Sequence, residues 1–570
     1  MAKRVVIVGG VAGGPKVAAK LRRLDPEAEI TIIEKGKFLS YAGCGLPYYV
    51  SGEIKEYREL METPVGVLRD PEFFEKFKGV KVYNRTEAIK IDRAGKMVEA
   101  RRLDTGEILS FPYDYLVLAT GAKVFFPPVK AVDFDHPGEI NARDLANVHA
   151  LHGIEDAESI RWMIAEKLAK KAVVIGGGLI GMEMTESLVK SGLEVTIIEI
   201  LPEILPIFDE DMGILVRRYC QSQGVRVMVG ERIERFEARD GVVKRVITDK
   251  GEYEADLVVV AAGFKPNTDL AQRAGLEIGV TGGIKVDMFM RTSDPSIFAV
   301  GDCVEIENLI CNSPAYMPMG SLANKQGRVA AINIAGGQEV FRGALNSAIF
   351  KLFDYTIART GMTVRQAKEL GYEVEYALAP APDRAHYFPG AQGVITKLVA
   401  DKRSGKLLGA QVIGSGNVTK SIYALATALY YGGKVEDLSS IDLPYAPPYA
   451  SAIDNICVAA NVLRNKLEGK MVGISPHEVE RKRKRGEDFV LLDVRTPKEY
   501  QNVRIPGSTL IPLGSLSERI GELPKDKEII TFCAVSLRGY EASLILKKHG
   551  FLNVKVMDGG IRCWPYALEK

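Results

Sequence analysis

Two cysteines stand where a thiol could do chemistry. Cys44 lies between Gly43 and Gly45 in residues 39–48, Leu-Ser-Tyr-Ala-Gly-Cys-Gly-Leu-Pro-Tyr. Small neighbours leave its sulfur approachable, but a lone cysteine takes a reactive role only from its surroundings. Cys533 closes an apolar run, Ile529-Ile530-Thr531-Phe532, and residues 534–539 then open a helix. A thiol at such a junction faces a ring of backbone N–H groups and the positive end of the helix. Arg538 adds a fixed cation, and all three favour the thiolate. The other cysteines are Cys220, Cys303, Cys311, Cys457 and Cys563. An odd count, wide scatter and no CxxC pair argue against a disulfide framework or a zinc site, so no metal is expected.

The elements that must position these thiols begin at residue 4. Residues 4–8, Arg-Val-Val-Ile-Val, form a continuous apolar run, the mark of a buried parallel strand. A glycine turn follows, Gly9-Gly10-Val11-Ala12-Gly13-Gly14, then a helix to Leu24 and a second strand over 29–34 that ends in Glu34. The glycines let backbone N–H groups reach a pyrophosphate, and Glu34 can hold ribose hydroxyls. Val11 replaces the middle glycine of GxGxxG. A full copy comes later: strand 172–175, Gly176-Gly177-Gly178-Leu179-Ile180-Gly181, a helix, and a strand over 194–199 closing on Glu199. Glu199 would repel a 2′-phosphate and bond a free 2′-hydroxyl, which favours NADH over NADPH.

Segments 115–121 and 257–263 also match each other. Each is an apolar strand running into a small-residue turn, at Thr120-Gly121 and at Ala262-Gly263. A further strand over 297–302 ends in Gly301-Asp302, with the acid placed for ribityl or phosphate-side groups. The candidate cofactor-binding residues are therefore Gly9, Gly13, Gly14, Glu34, Lys35, Thr120, Gly121 and Asp302, with Gly176, Gly178, Gly181, Glu199 and Gly263 for the second unit.

The whole chain sets limits. Its 570 residues imply about three or four domains. With 46% apolar and 26% charged residues and a net charge of +2, nothing points to a polyanion or a membrane surface as partner. No apolar run is long enough to span a bilayer. The start, MAKRVVIVGG, enters a strand directly, and a cytoplasmic location is expected. A basic run, 481–485, is flanked by Glu478, Glu480, Glu487 and Asp488 and reads as a solvated helix face.

Two nucleotide units, the paired strand–turn segments and Ala-Val-Gly-Asp at 299–302 together resemble the pyridine nucleotide-disulfide oxidoreductase family. The resemblance implies an α/β chain with two three-layer nucleotide domains, FAD over 1–150 and 276–335 and NAD(H) over 151–275. Alternating patterns at 397–401 and 407–414 resemble the family's α+β dimerisation domain, 340–455. That implies a homodimer in which each subunit lends residues to its partner's site. Residues 456–474 read as a mixed, helical linker. Residues 475–570 resemble the rhodanese family through Asp493-Val494-Arg495, Ile505-Pro506-Gly507, the Cys533 loop and Asp558-Gly559-Gly560. Four residues separate Cys533 from Arg538, the sulfurtransferase spacing; related phosphatase loops have five. The resemblance makes Cys533 a persulfide-bearing sulfur carrier.

Most of the oxidoreductase family carries CxxxxC at the position of Cys44. Here Leu39 and Tyr49 occupy the partner positions, so no internal redox disulfide can form there. Single-cysteine branches remain: coenzyme A-disulfide or persulfide reductases, and NADH oxidases or peroxidases. The peroxidases place a histidine in the first glycine turn, where this chain has Ala12. The run 40–48, the first glycine turn and Tyr445-Ala446-Pro447-Pro448-Tyr449 resemble the coenzyme A-disulfide reductase branch, and an appended rhodanese marks persulfide and polysulfide reduction. This resemblance implies electrons from NADH through FAD to sulfur on Cys44, with coenzyme A persulfide, coenzyme A disulfide or polysulfide as substrate. It places Lys16, Lys20, Arg23 and Ser40 at coenzyme A, and Tyr387 with Tyr445 or Tyr449 as hydrogen-bond donors from the partner subunit. Attack by Cys44 requires its thiolate, so surroundings that lower its pKa would help. The competing reading is an H₂O-forming NADH oxidase with an appended sulfurtransferase domain.

Overall fold

The computed structural model describes residues 2–133 and 139–570. The chain divides into two units, Met1–Pro202 with Val225–Ala344, and Glu203–Gly224 with Leu345–Lys570.

The first unit holds two parallel five-stranded sheets that share the order of four strands; the edge strand comes last in the chain in the first sheet and first in the second. In the first, the strand order is Ile297–Ala299, Tyr115–Leu118, Arg4–Val8, Glu29–Ile33, Val80–Tyr83. In the second it is Val148–Ala150, Leu257–Val260, Lys171–Ile175, Glu194–Glu199, Arg226–Val229. The central strands are β-branched and apolar, and Val5, Ile7, Val173 and Val174 are fully buried, as strands covered on both faces must be. Register brings the strand ends together: Gly9 N–H donates to Ile33 O at 2.9 Å and Ala119 N–H to Val8 O at 2.7 Å. The second sheet repeats this, with Gly176 N–H on Ile198 O at 2.9 Å and Ala261 N–H on Ile175 O at 2.8 Å. Both glycine turns thus sit at the carboxyl edge of their sheets, where such folds bind ligands. Beyond Gly121 and Gly263 the chain forms two short strands, Ala122–Val124 and Phe264–Pro266, which pair antiparallel. Several strands stop one to three residues sooner than the apolar pattern suggests; Tyr115–Leu118 and Ile297–Ala299 end where the turn takes over the backbone.

The second unit contains an antiparallel sheet in the order Ala348–Leu352, Tyr355–Gly361, Leu407–Gly414, Gly393–Asp401, Val374–Pro382. The helix Asn455–Leu467, inside the stretch read as a linker, buries Ile456, Ala459, Ala460 and Leu463 and packs on the strands Val374–Pro382 and Gly393–Asp401. The helix Glu210–Ser222 also belongs to this unit: Lys397 pairs with Asp211 at 2.6 Å and Asp209 at 3.2 Å. A parallel sheet follows in the order Gly473–Ile474, Val554–Met557, Glu528–Phe532, Phe489–Asp493, Thr509–Leu510. The basic run forms the end of the helix Pro476–Lys484 and pairs with its neighbouring acids, as Arg483 does with Glu480 at 3.2 Å and Arg485 with Glu487 at 2.6 Å. Among the described residues no helix is long and apolar enough to cross a membrane.

Candidate functional site

The two glycine turns are built alike. Gly9 (φ 113°) and Gly176 (φ 101°) hold conformations that L side chains rarely adopt, and a Cβ on either would run into the carbonyl of Ala119 or Ala261. Glu34 takes N–H bonds from Gly10 and Gly36, both at 2.6 Å. Glu199 takes them from Gly177 at 2.7 Å and Leu201 at 2.8 Å. Each acid therefore braces its own turn. Burial still pushes the Glu34 carboxyl up, against those two donors. Gly178 faces open space, as do Gly121 and Gly263 in the two exit turns. Thr120 Oγ1 donates to Asn267 O at 2.6 Å, and Lys35 pairs with Glu87 at 2.9 Å. Asp302 is pushed up by burial. Beside it the buried Tyr316 hydroxyl has no hydrogen-bond partner among the described residues. Clear turns plus an orphaned buried hydroxyl fit a dinucleotide lying across the sheet edge.

Cys44 occupies a single turn, Gly43–Gly45, that runs into the helix Leu46–Val50. Its loop is tied to the first glycine turn, since Ser40 N–H donates to Gly10 O at 2.8 Å. Leu39 and Tyr49, five residues to either side, are buried core, and Arg161 lies 4.4 Å above the Tyr49 ring. Cys44 itself is exposed. A lower pKa would help attack by this thiol, but the loop has the opposite effect. Desolvation, then the carboxylates of Glu183 and Asp302, push the thiol above its ordinary range. Glu183 belongs to the helix Leu179–Lys190, which packs on Leu46–Val50 through a bond from Ser187 Oγ to Pro47 O at 2.8 Å. Burial and the neighbouring Glu186 push Glu183 up to about 7.

Cys533 follows the strand Glu528–Phe532 and is fully buried. Ser536 turns the loop at a φ of 90°, and its Oγ donates to Met557 O at 3.0 Å. Arg538, in the first turn of the helix Leu537–Lys548, lies near enough to Cys533 for the sulfur to favour its charged form. It also makes a two-bond pair with Glu499, at 2.8 and 2.7 Å. That pair holds Glu499 down to about 2. Glu499 is fixed in turn by Thr496, whose N–H and Oγ donate to it at 3.0 and 2.9 Å. Asp493 and Arg495 form a separate buried pair at 2.6 Å, and Arg495 also bonds Val503 O at 2.7 Å. This places them as supports of the strand end.

The remaining candidates are scattered more widely. Tyr387 and Tyr445 lie close together, and Tyr387 raises the Tyr445 pKa. Tyr449 is exposed. Lys16, Lys20 and Arg23 share one face of the helix Gly13–Leu24, spaced by four and three residues. Glu183, Tyr316 and Glu499 are residues that the motifs did not single out. Only Glu499 had a legible signal, the capping pattern Thr-x-x-Glu at 496–499.

Residues 3–337 match the family described as pyridine nucleotide-disulphide oxidoreductase. Residues 347–456 match its dimerisation domain, and 475–566 a rhodanese-like domain. A relative from Methanocaldococcus jannaschii named NADH oxidase is 34% identical, covering 82% of this chain and 100% of its own. A relative from Pyrococcus abyssi named NAD(P)H sulfur oxidoreductase (CoA-dependent) is 36% identical, covering 81% of this chain and 98% of its own. The solved structure of a NAD-dependent persulfide reductase from A. fulgidus is 43% identical, with a TM-score of 0.91, covering 98% of this chain and 100% of that one.

Proposed function

Because the chain belongs to the pyridine nucleotide-disulphide oxidoreductase family, an FAD- and NAD(P)H-dependent class of enzymes, we propose that it reduces coenzyme A persulfide, coenzyme A disulfide or polysulfide through Cys44. Cys533 relays sulfane sulfur in this reading, and the enzyme acts as a cytoplasmic homodimer. The observation that carries it is the isolation of Cys44: Leu39 and Tyr49 are core residues, so the redox partner of Cys44 is a substrate sulfur or, in the oxidase reading, the oxygen of a sulfenic acid.

The chain's own residues divide the work. The turns at Gly9–Gly14 and Gly176–Gly181 hold two pyrophosphates, braced by Glu34 and Glu199. Glu199, closing the second unit, favours NADH over NADPH. FAD, when bound over the first unit, would supply an electron pair from NADH to sulfur on Cys44. Cys44 as thiolate attacks one sulfur of the substrate S–S bond; the new bond forms on Cys44 and the other sulfur leaves with the electron pair. Glu183, titrating near 7, can hold a proton beside this exchange. In sum, NADH, a proton and one disulfide give NAD⁺ and two thiols, or a thiol and hydrogen sulfide from a persulfide. Lys16, Lys20, Arg23 and Ser40 would seat the coenzyme A phosphates, and Tyr387 with Tyr445 would reach the partner's sulfur.

Anaerobic NADH oxidation with hydrosulfide detection, across these acceptors, tests the reading. Wild type should release hydrosulfide, and Cys44→Ser should not. Equal NADH consumption in air without any sulfur substrate would instead favour the H₂O-forming oxidase; the Methanocaldococcus relative is named NADH oxidase.

A further inference from the structure

A buried charge cluster lies between the antiparallel sheet and the Cys533 loop, and the mechanism above leaves it unused. Lys466, on the helix Asn455–Leu467, is 3% exposed at its side chain and pairs with Asp558, 1% exposed, at 3.0 Å. It also pairs with Glu375 at 3.3 Å and donates to Tyr376 O at 2.5 Å. From the next strand Lys397 covers the same Tyr376 ring, 4.6 Å away, against 4.7 Å for Lys466. Lys397 is itself paired with Asp209 and Asp211, and Arg359 lies toward Asp209. On the rhodanese side the neighbours are Cys563, a buried thiol, and Arg562.

Asp558 opens the turn that carries the Cys533 loop. Its N–H donates to Ile474 O at 2.9 Å, and Gly559 and Gly560 follow with φ values of 71° and 57°. Ile561 N–H then donates to Cys533 O at 2.9 Å and Arg562 N–H to Ala534 O at 3.2 Å. A Cβ on Gly560 would strike the Cys533 carbonyl. The backbone of the thiol loop therefore hangs from this turn. The pair is also fitted from its other side: a Cβ on Gly473 would displace the Lys466 ammonium and lie 2.8 Å from Asp558 Oδ1.

We propose that Lys466 is a positioning residue for sulfur transfer at Cys533, acting across the domain junction by holding Asp558 and so the turn that suspends the thiol loop. The rhodanese-like domain then depends on a lysine outside it. Burial pushes Asp558 up to about 6, with Lys466 opposing and Glu375 and Asp211 adding to the rise. The carboxylate, and with it the pair, is present at neutral pH and is lost as pH falls through that value. Removing Lys466 raises Asp558 further, so the loss moves to higher pH.

The test uses the full-length holoenzyme with thiosulfate and cyanide. The Cys533 thiolate attacks the sulfane sulfur, sulfite leaves with the electron pair, and cyanide takes the outer sulfur as thiocyanate, returning the thiolate. In Lys466→Met, thiocyanate formation should fall about tenfold at pH 7 and its acid limb should rise by about one unit. NADH-driven reduction of coenzyme A disulfide should stay within about twofold of wild type. Asp558→Asn should lack the limb, and adding Lys466→Met to it should shift nothing. Gly473→Ala, which changes no charge, should act in the same direction as Lys466→Met.

The proposal rests on Cys533 being a sulfur carrier, so a second measurement is free of sulfur chemistry. Hydrogen exchange at the amides of Ile561 and Arg562 should quicken in Lys466→Met and Gly473→Ala. Wild type without thiocyanate formation would defeat the sulfur-carrier reading, while quickened exchange would still uphold the positioning role. Unchanged exchange with an unmoved pH profile overturns the proposal, as does a Lys466→Met shift that persists undiminished beside Asp558→Asn.

Discussion

Cys44 and Cys533 are held in opposite ways. Cys44 is exposed in a three-residue turn, and the two charges that act on it most, Glu183 and Asp302, are both negative. Cys533 is buried, and the guanidinium near it is clamped by a carboxylate. The first setting disfavours negative charge on sulfur, and the second supplies a counter-charge. The difference suits two tasks: a thiol that ionises on demand beside an electron source, and a cradle for an anionic persulfide. One chain can run both only if the settings stay independent, and that independence can be attacked directly.

The largest effects should come from the sulfurs themselves. Cys44→Ser should cut NADH-driven disulfide reduction by about a thousandfold or more and leave thiocyanate formation intact; Cys533→Ser should do the reverse. A variant that lost both activities would break the comparison. Next, Arg538→Ala should lower thiocyanate formation about a hundredfold, and Glu499→Gln about tenfold, since Arg538 would keep its charge but lose its clamp. Equal losses from the two would mean that position, rather than charge, is what Cys533 needs.

A smaller effect sharpens the other half. Glu183→Gln removes one of the two charges opposing the Cys44 thiolate. The iodoacetamide alkylation profile of Cys44 should therefore move down by about half a pH unit. Because Glu183 titrates near 7, the two profiles should separate above that pH and converge below it. Smallest of all, Arg481→Ala loses only an exposed pair with Glu478, and should change stability by less than about 0.5 kcal/mol and neither activity.

What the sequence displayed best was local. The glycine turns, the acids closing them and the Cys533–Arg538 spacing are short-range patterns, and backbone sterics or one helix turn decide them. Tertiary neighbours were hidden. Glu183 reaches Cys44 only because two helices from different sheets pack together, and its helix reads as mostly apolar. The rise in the Cys44 pKa follows from that packing, so no reading of residues 39–48 could supply it. Lys466 was hidden differently: it sits in a helix that resembles a connector by position, while its apolar face and its charge belong to a buried junction. Tyr387 and Tyr445 lie far apart in the chain, and their proximity depends on loop geometry that no periodicity encodes.

The antiparallel pairing of Ala122–Val124 with Phe264–Pro266 also constrains how this enzyme could be re-engineered. These strands leave the two exit turns, whereas Glu34 follows the strand Glu29–Ile33 and Glu199 ends the strand Glu194–Glu199. Exchanging Glu199 to change nucleotide preference is thus a modular edit, confined to one half. Lengthening either exit turn is not. An inserted residue before Lys123 or Lys265 would slip the shared ladder and be felt in both halves at once. Loop grafts from relatives should therefore be made as matched pairs, or not at all.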